Sequence, residues 1–225
     1  MEHKQLELFQ QAVTACNVGC HIIFKDSSNL SQTDKGLRLR LYEDYNYQPL
    51  QVFLEQYVTA GSIVRYEDSF GMYYTLLHIP AAYLYDYESS HFVIGPYLEN
   101  QLETAQIRKI MEQRRIPDNL FSDIRLVYSS TPVLHNMESF EALIVNLARG
   151  LFHVEYKVSH LPDKNEIFME HSPLILKLRK EPQISISTIE ERYEVENKML
   201  EAVSKGDDRR AHEFYQKFQT YQLRP

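Results

Sequence analysis

The fold is decided by the stretch from Ser62 to Tyr97, which reads SIVRYEDSFGMYYTLLHIPAAYLYDYESSHFVIGPY. It contains three short runs rich in β-branched, aromatic and aliphatic residues, at 62–66, 72–79 and 92–94. Turn residues separate the runs, and Gly95-Pro96 follows the last of them. Short strands at close spacing with turn signals between them indicate an antiparallel sheet. A fourth strand is predicted at His21-Ile22-Ile23-Phe24, ahead of a polar turn.

Amphipathic helices are predicted before, between and after these strands, because apolar residues recur there at helical spacing. They cover residues 2–16, 49–58, 99–114, 117–127 and 137–152. Together the two kinds of element predict an α+β fold, with an antiparallel sheet flanked by helices in a domain at 1–155. A polar stretch that contains several prolines follows, and it is interpreted as a connector over 156–186.

The last region, 187–225, predicts a helical hairpin. Ser187-Thr188-Ile189-Glu190 has the pattern of a capping box at a helix start. Gly206 suits the end of that helix, and Asp207 can cap the next one. Apolar residues follow a heptad-like spacing on the first helix, with Glu196 as one polar position in the seam. The residues predicted to form a dimer interface are Ile189, Tyr193, Leu200 and Val203.

Composition excludes several function classes. The 225 residues carry a formal net charge of −7 and no basic stripe, so this chain should not bind DNA by itself. Glycines number only 7, and no nucleophile elbow, phosphate-binding loop or H-E-x-x-H motif occurs. We therefore expect no enzyme, no cofactor and no metal. Cys16 and Cys20 would supply half a zinc site at most, and burial is the simpler expectation for them. Without a signal peptide or an apolar run of membrane-spanning length, the expected location is the cytoplasm, away from membranes.

Tyrosine and histidine crowd the strand region, and this density raises the question of a ligand pocket. Alternate residues of a strand share a face, so Tyr74 and His78 point to the same side of the sheet. On a curved sheet such side chains would offer polar groups within an apolar pocket. The alternative is that the tyrosines fill a core and send their hydroxyls to its rim. The candidate ligand-binding residues are Tyr74, His78, Tyr83, Tyr85, His91 and Tyr97.

The segment Ile189–Asp207 resembles the helical linker of a group of AraC-type transcription regulators from Gram-positive bacteria. The similar features are the E-R-Y-x-x-E-N pattern from Glu191, the L-x-A-V step from Leu200 and the K-G-D turn from Lys205. The runs at 21–26 and 92–98, the latter containing I-G-P-Y, are similar to the sensor domains of the same group, which resemble PAS or GAF folds.

The resemblance implies a PAS/GAF-like sensor for a small-molecule effector, followed by a helical hairpin that forms a homodimer. DNA binding would then reside in a C-terminal helix-turn-helix domain beyond Pro225, in which case the sequence is a truncated regulator. Two other interpretations stay open. One is a stand-alone protein–protein interaction module whose hairpin docks a partner helix. The other is an enzyme that uses the tyrosine and histidine cluster.

Overall fold

The computed structural model describes residues 3–24, 30–43, 45–84, 90–161, 178–179 and 186–222, with the side chains of 193–216 in the last stretch. The chain divides into two compact units, Met1–Lys180 and Glu181–Pro225. The first unit is an α+β domain, as the sequence predicts. The second consists of helices.

The first unit is built on a five-stranded sheet. The strands are β1 (Cys20–Phe24), β2 (Ser62–Glu67), β3 (Tyr73–His78), β4 (Ser90–Tyr97) and β5 (Lys157–Leu161). Their order across the sheet is β1-β4-β3-β2-β5. The first four pair with one another in antiparallel orientation, and each overlaps a strand that the sequence predicts.

The fifth strand changes two of the predictions. Strand β5 pairs with β2 in parallel, so the sheet is mixed and not wholly antiparallel. It also lies inside 156–186, where the polar pattern predicts a connector. The reason is that β5 is an edge strand whose side chains from Lys157 to His160 are exposed. An exposed edge strand has no buried face, so it leaves no alternating apolar pattern in the sequence.

Within the described residues, six α-helices accompany the sheet: α1 (His3–Thr14), α2 (Leu37–Leu41), α3 (Gln48–Tyr57), α4 (Thr104–Gln113), α5 (Phe121–Ser130) and α6 (Met137–Phe152). All except the short α2 coincide with predicted helices. Local sequence explains several of their starts. A capping box joins Glu103 and Gln106 at α4. At α6 the Asn136 side chain accepts a hydrogen bond of 2.9 Å from the Ser139 backbone nitrogen.

The sheet separates two hydrophobic layers. On one face, Val64, Tyr74, Leu76 and Val93 pack with buried residues of α2, α3, α4 and α5. On the other, Ile63, Leu77, Phe92 and Ile94 pack with α1 and α6. Aromatic contacts link this second layer, with the rings of Phe9 and Phe92 centred 4.5 Å apart. Both faces of the central strands are therefore buried, which restricts the space for a ligand on either.

The second unit contains α7 (Ile186–Ser204) and α8 (Asp208–Gln222), which pack against each other. Gly206 ends α7 in the left-handed conformation with a φ of 70°, the backbone that glycine adopts most readily. The carboxylate of Asp207 then caps α8 by accepting the Arg210 backbone nitrogen at 3.2 Å. The side chains of the predicted capping box at 187–190 lie outside the described residues. No helix within the described ranges is long and apolar enough to cross a membrane.

Candidate functional site

The five candidate ligand-binding residues that the structure describes do not converge on one pocket, because the sheet divides them. Tyr74, His78 and His91 belong to the face covered by α2–α5. Tyr83 and Tyr97 pack in the layer of α1 and α6 on the other face. Tyr85 lies outside the described residues. The geometry of the described members is that of core packing, the alternative that the sequence left open.

His78 and His91 are direct partners on β3 and β4, with ring centroids 5.3 Å apart. The His91 Nε2 atom lies 2.9 Å from the carbonyl oxygen of Val58, at the end of α3. Burial lowers the pKa of His91 to about 4, and it also lowers the pKa of the half-buried His78. Both rings are therefore neutral near pH 7, and the Nε2 atom of His91 already makes a hydrogen bond within the fold.

Tyr97 and Tyr83 use their hydroxyl groups inside the opposite layer. The Tyr97 hydroxyl lies 2.8 Å from Thr75 Oγ1, and the Tyr97 ring stacks on Tyr73 with centroids 6.1 Å apart. The Tyr83 hydroxyl donates to the backbone oxygen of Leu151 at 3.3 Å, while its ring packs edge-on against Phe152. The Tyr97 contacts hold its ring against β3, and the Tyr83 contacts attach that side chain to the end of α6.

A buried ionic network surrounds Tyr74, and sequence reasoning did not find it. The Arg38 guanidinium lies 3.0 Å from Asp34 Oδ2 and 2.8 Å from Asp68 Oδ2, and all three side chains are fully buried. The Tyr47 hydroxyl donates to Asp34 Oδ1 at 2.6 Å, and the Tyr74 hydroxyl donates to Asp68 at 3.4 Å. The one signal in the sequence is the spacing of Asp34 and Arg38, four residues apart.

Electrostatics stabilise the cation of Arg38 in spite of its burial. Desolvation disfavours the cation of Arg38, but the nearby carboxylates of Asp68 and Asp34 outweigh it and raise the Arg38 pKa well above its usual value. Burial raises the pKa of Asp34, against the opposing influence of Arg38 and the Tyr47 hydroxyl. A buried charge is tolerated when it is paired and hydrogen-bonded, as each of these is.

The network holds the turn between β2 and β3. Asp68 Oδ1 accepts the backbone nitrogens of Phe70 and Met72, both at 2.9 Å. The Phe70 ring lies against two guanidinium groups, with Arg38 at 5.2 Å and Arg114 at 4.9 Å from its centroid. The Tyr128 hydroxyl donates to the Phe70 carbonyl at 2.6 Å. With its side chains bound to each other and to the turn, the network is a structural clamp between the helices and the sheet.

A surface cavity of about 760 Å³ lies between the start of α4 and the end of α5. Its apolar lining comes from Leu102, Ile107 and the ring of Tyr128, and Arg108 and Arg125 also line it. Arg108 is bound to Asp118 at 3.1 Å, across the connection between the two helices. The volume of this cavity is within the range of small-molecule sites, which is roughly 300–1,000 Å³.

The predicted dimerisation residues form an open apolar stripe on α7. Tyr193, Leu200 and Val203 are 61%, 57% and 61% exposed, whereas Val195 and Ala202 are buried. The side chain of Ile189 lies outside the described residues. Successive α-helical residues are about 100° apart around the axis, so the buried and exposed sets lie on different faces of α7. We call Tyr193, Glu196, Leu200 and Val203 the α7 stripe.

Possible metal ligands and thiols occur in the part of the chain that the structure describes. No group of three or more His, Cys, Asp or Glu side chains there could hold a metal ion. Cys16 and Cys20 are free thiols, and burial raises the pKa of Cys20 to about 12. At neutral pH Cys20 is thus a protonated thiol with low nucleophilicity.

Comparison of the chain with known proteins finds no matching family model, no matching curated protein and no matching solved structure.

Proposed function

We propose that this chain is the ligand-sensing and dimerising region of an AraC-type transcription regulator, with a PAS/GAF-like sensor and a C-terminal helical hairpin. The observation that carries the proposal is the α7 stripe, which adjoins a face already covered by α8. Large apolar side chains at heptad-like spacing on an exposed helix are typical of coiled-coil interfaces. Many transcription regulators are two-fold dimers because they bind paired half-sites.

DNA binding is assigned to a different domain of a longer protein. The chain has 31 acidic and 24 basic residues, which is the wrong balance for a surface that approaches phosphates. The test uses the product of the complete gene in a gel-shift assay on its upstream DNA, with Leu200→Asp as the variant. Loss of binding to paired half-sites in that variant supports the proposal. A gene product that has no further domain and binds no DNA contradicts it.

Dimerisation is tested first, on the 225-residue chain. We expect light scattering to give twice the chain mass of 26.6 kDa at micromolar concentration. A monomeric mass would contradict the dimer. It would instead favour the second candidate, an interaction module whose α7 stripe binds a helix of a different protein.

Sensing is assigned to the first unit, and the cavity between α4 and α5 is our candidate for the effector site. A ligand that binds only the native state must raise the melting temperature. We expect a metabolite library to contain such a ligand and Leu102→Trp, which places a larger side chain in the cavity lining, to weaken its effect. Ser122→Ala, on the same α5 helix but outside the cavity lining, is the control. A shift that survives in Leu102→Trp would assign the effector to another site.

A further inference from the structure

The α7 stripe contains one charged position, and that position restricts how a second copy can bind. The stripe follows steps of three, four and three residues, which keep its members on one face of the helix. Tyr193, Leu200 and Val203 are exposed, and Glu196 is partly exposed between them. A dimer through this face must therefore bring two glutamates into or next to its seam.

The two orientations of a second helix treat Glu196 differently. In a parallel pair each position meets its own copy, so Glu196 faces Glu196. In an antiparallel pair centred level with residue 198, Tyr193 faces Val203 and Glu196 faces Leu200. Both pairs are centred on residue 198. The α7 stripe of one copy can therefore match the α7 stripe of a second copy that runs in the opposite direction.

Neighbouring lysines are poorly suited to compensate a parallel pair of glutamates. Lys198 and Lys205 each form an ion pair with a glutamate of their own helix, Glu194 and Glu201 respectively. These ion pairs offset the charges of Glu194 and Glu201. Two carboxylates that are brought together without a cation repel each other, and the repulsion grows as water is excluded from between them.

We propose that two copies of the chain associate through the α7 stripe in antiparallel orientation, with the two-fold axis level with Lys198. This inference rests on the proposed dimer. Each Glu196 then lies four residues from the other along the axis, about 6 Å at 1.5 Å per residue. Its methylene groups cover Leu200 of the partner copy while its carboxylate reaches water. A polar residue in the seam thus sets the orientation.

Disulfide trapping distinguishes the orientations. A chain carrying Val203→Cys is mixed with a differently sized fusion of the chain carrying Tyr193→Cys, and the mixture is oxidised above its dimer dissociation constant. A disulfide needs Cα atoms roughly 4.4–6.8 Å apart. In the antiparallel dimer the two 203 positions are about 15 Å apart along the axis, whereas 193 and 203 face each other. Both substituted residues are exposed in the single chain, so its folding should survive the changes.

We expect the mixture to give a crosslinked species with one chain of each kind, at least tenfold above the yield of either variant alone. The chain without added cysteines reports the background from Cys16 and Cys20. Efficient crosslinking of Val203→Cys alone overturns the antiparallel arrangement and leaves the proposed dimer standing. A dimeric mass with no crosslink in any combination overturns the inference as well. A monomeric mass overturns the proposed dimer itself.

Discussion

Truncation of Leu200 tests the dimer with a magnitude that follows from its exposure. Leu200→Ala removes three carbon atoms, each contributing about 0.8 kcal/mol when it passes from water to a buried site. Leu200 is 57% exposed in the single chain, so burial of this exposed fraction on dimerisation is worth about 1.4 kcal/mol for those atoms. The change occurs in both copies, so the free energy of dimerisation becomes less favourable by about 2.7 kcal/mol. The dissociation constant of the dimer then rises roughly 90-fold.

Sedimentation equilibrium over a concentration series measures this constant directly. Leu143→Ala is the matched control, because Leu143 is 42% exposed on α6 and lies outside the α7 stripe. It should leave the dissociation constant unchanged. Leu200 is also exposed in the single chain, so neither variant should alter the far-UV circular dichroism spectrum. Equal dissociation constants for Leu200→Ala and the unaltered chain would refute assignment of the interface to the α7 stripe.

Three further changes test the first unit. Arg38→Met leaves two buried carboxylates without their cation and should lower the free energy of unfolding by about 3–5 kcal/mol in urea titrations; a loss below about 1 kcal/mol would contradict the clamp. Acid should destabilise the fold because the pKa of His91 is lowered from 6.5 to about 4, so the contribution of the neutral ring is complete above pH 6.5 and lost towards pH 4. His91→Gln should flatten the stability profile in that interval, and an unchanged slope would argue against a buried neutral His91. Tyr128→Phe removes the hydrogen bond to the Phe70 carbonyl and should cost about 1 kcal/mol by the same urea assay, whereas an unchanged midpoint would deny that bond a role.

Elements with a strong periodic pattern could be predicted from the sequence, and elements without one could not. The helices around Phe9, Phe53 and Phe140 have apolar stripes that face the sheet, and each was predicted close to its position. Strand β5 has exposed side chains on both faces along most of its length and left no such pattern. Burial of one face produces periodicity, so an exposed edge strand escapes an analysis that relies on it.

The clamp around Arg38 was not predicted for a different reason. Its members come from three separate segments, near residues 34–38, 47 and 68–74, and only the chain topology brings them together. An arginine in a short run such as Leu37-Arg38-Leu39-Arg40-Leu41 is normally taken as solvent-exposed, because a charged side chain is rarely buried without partners. The partners here are 4 and 30 residues away along the chain.

The position of Tyr97 shows why alternation alone could not define a pocket. His91, Val93 and Tyr97 are all odd-numbered positions of β4, and strict alternation would put them on one face. Between the pairs Thr75–Ile94 and Tyr73–Tyr97, however, β4 has one residue more than β3. This bulge turns Tyr97 to the opposite face, where it meets Thr75 and Phe140.

Gly95 makes this bulge possible, and its signal was present in the sequence. Its φ is 138°, and a Cβ atom there would lie 2.8 Å from the backbone oxygen of Tyr73. The dipeptide Gly95-Pro96 was interpreted as the end of a strand, since both residues commonly interrupt strands. In the structure β4 continues through it to Tyr97. A glycine within an aromatic strand therefore changes which side chains share a face, and here it separates Tyr97 from His91 of the same strand.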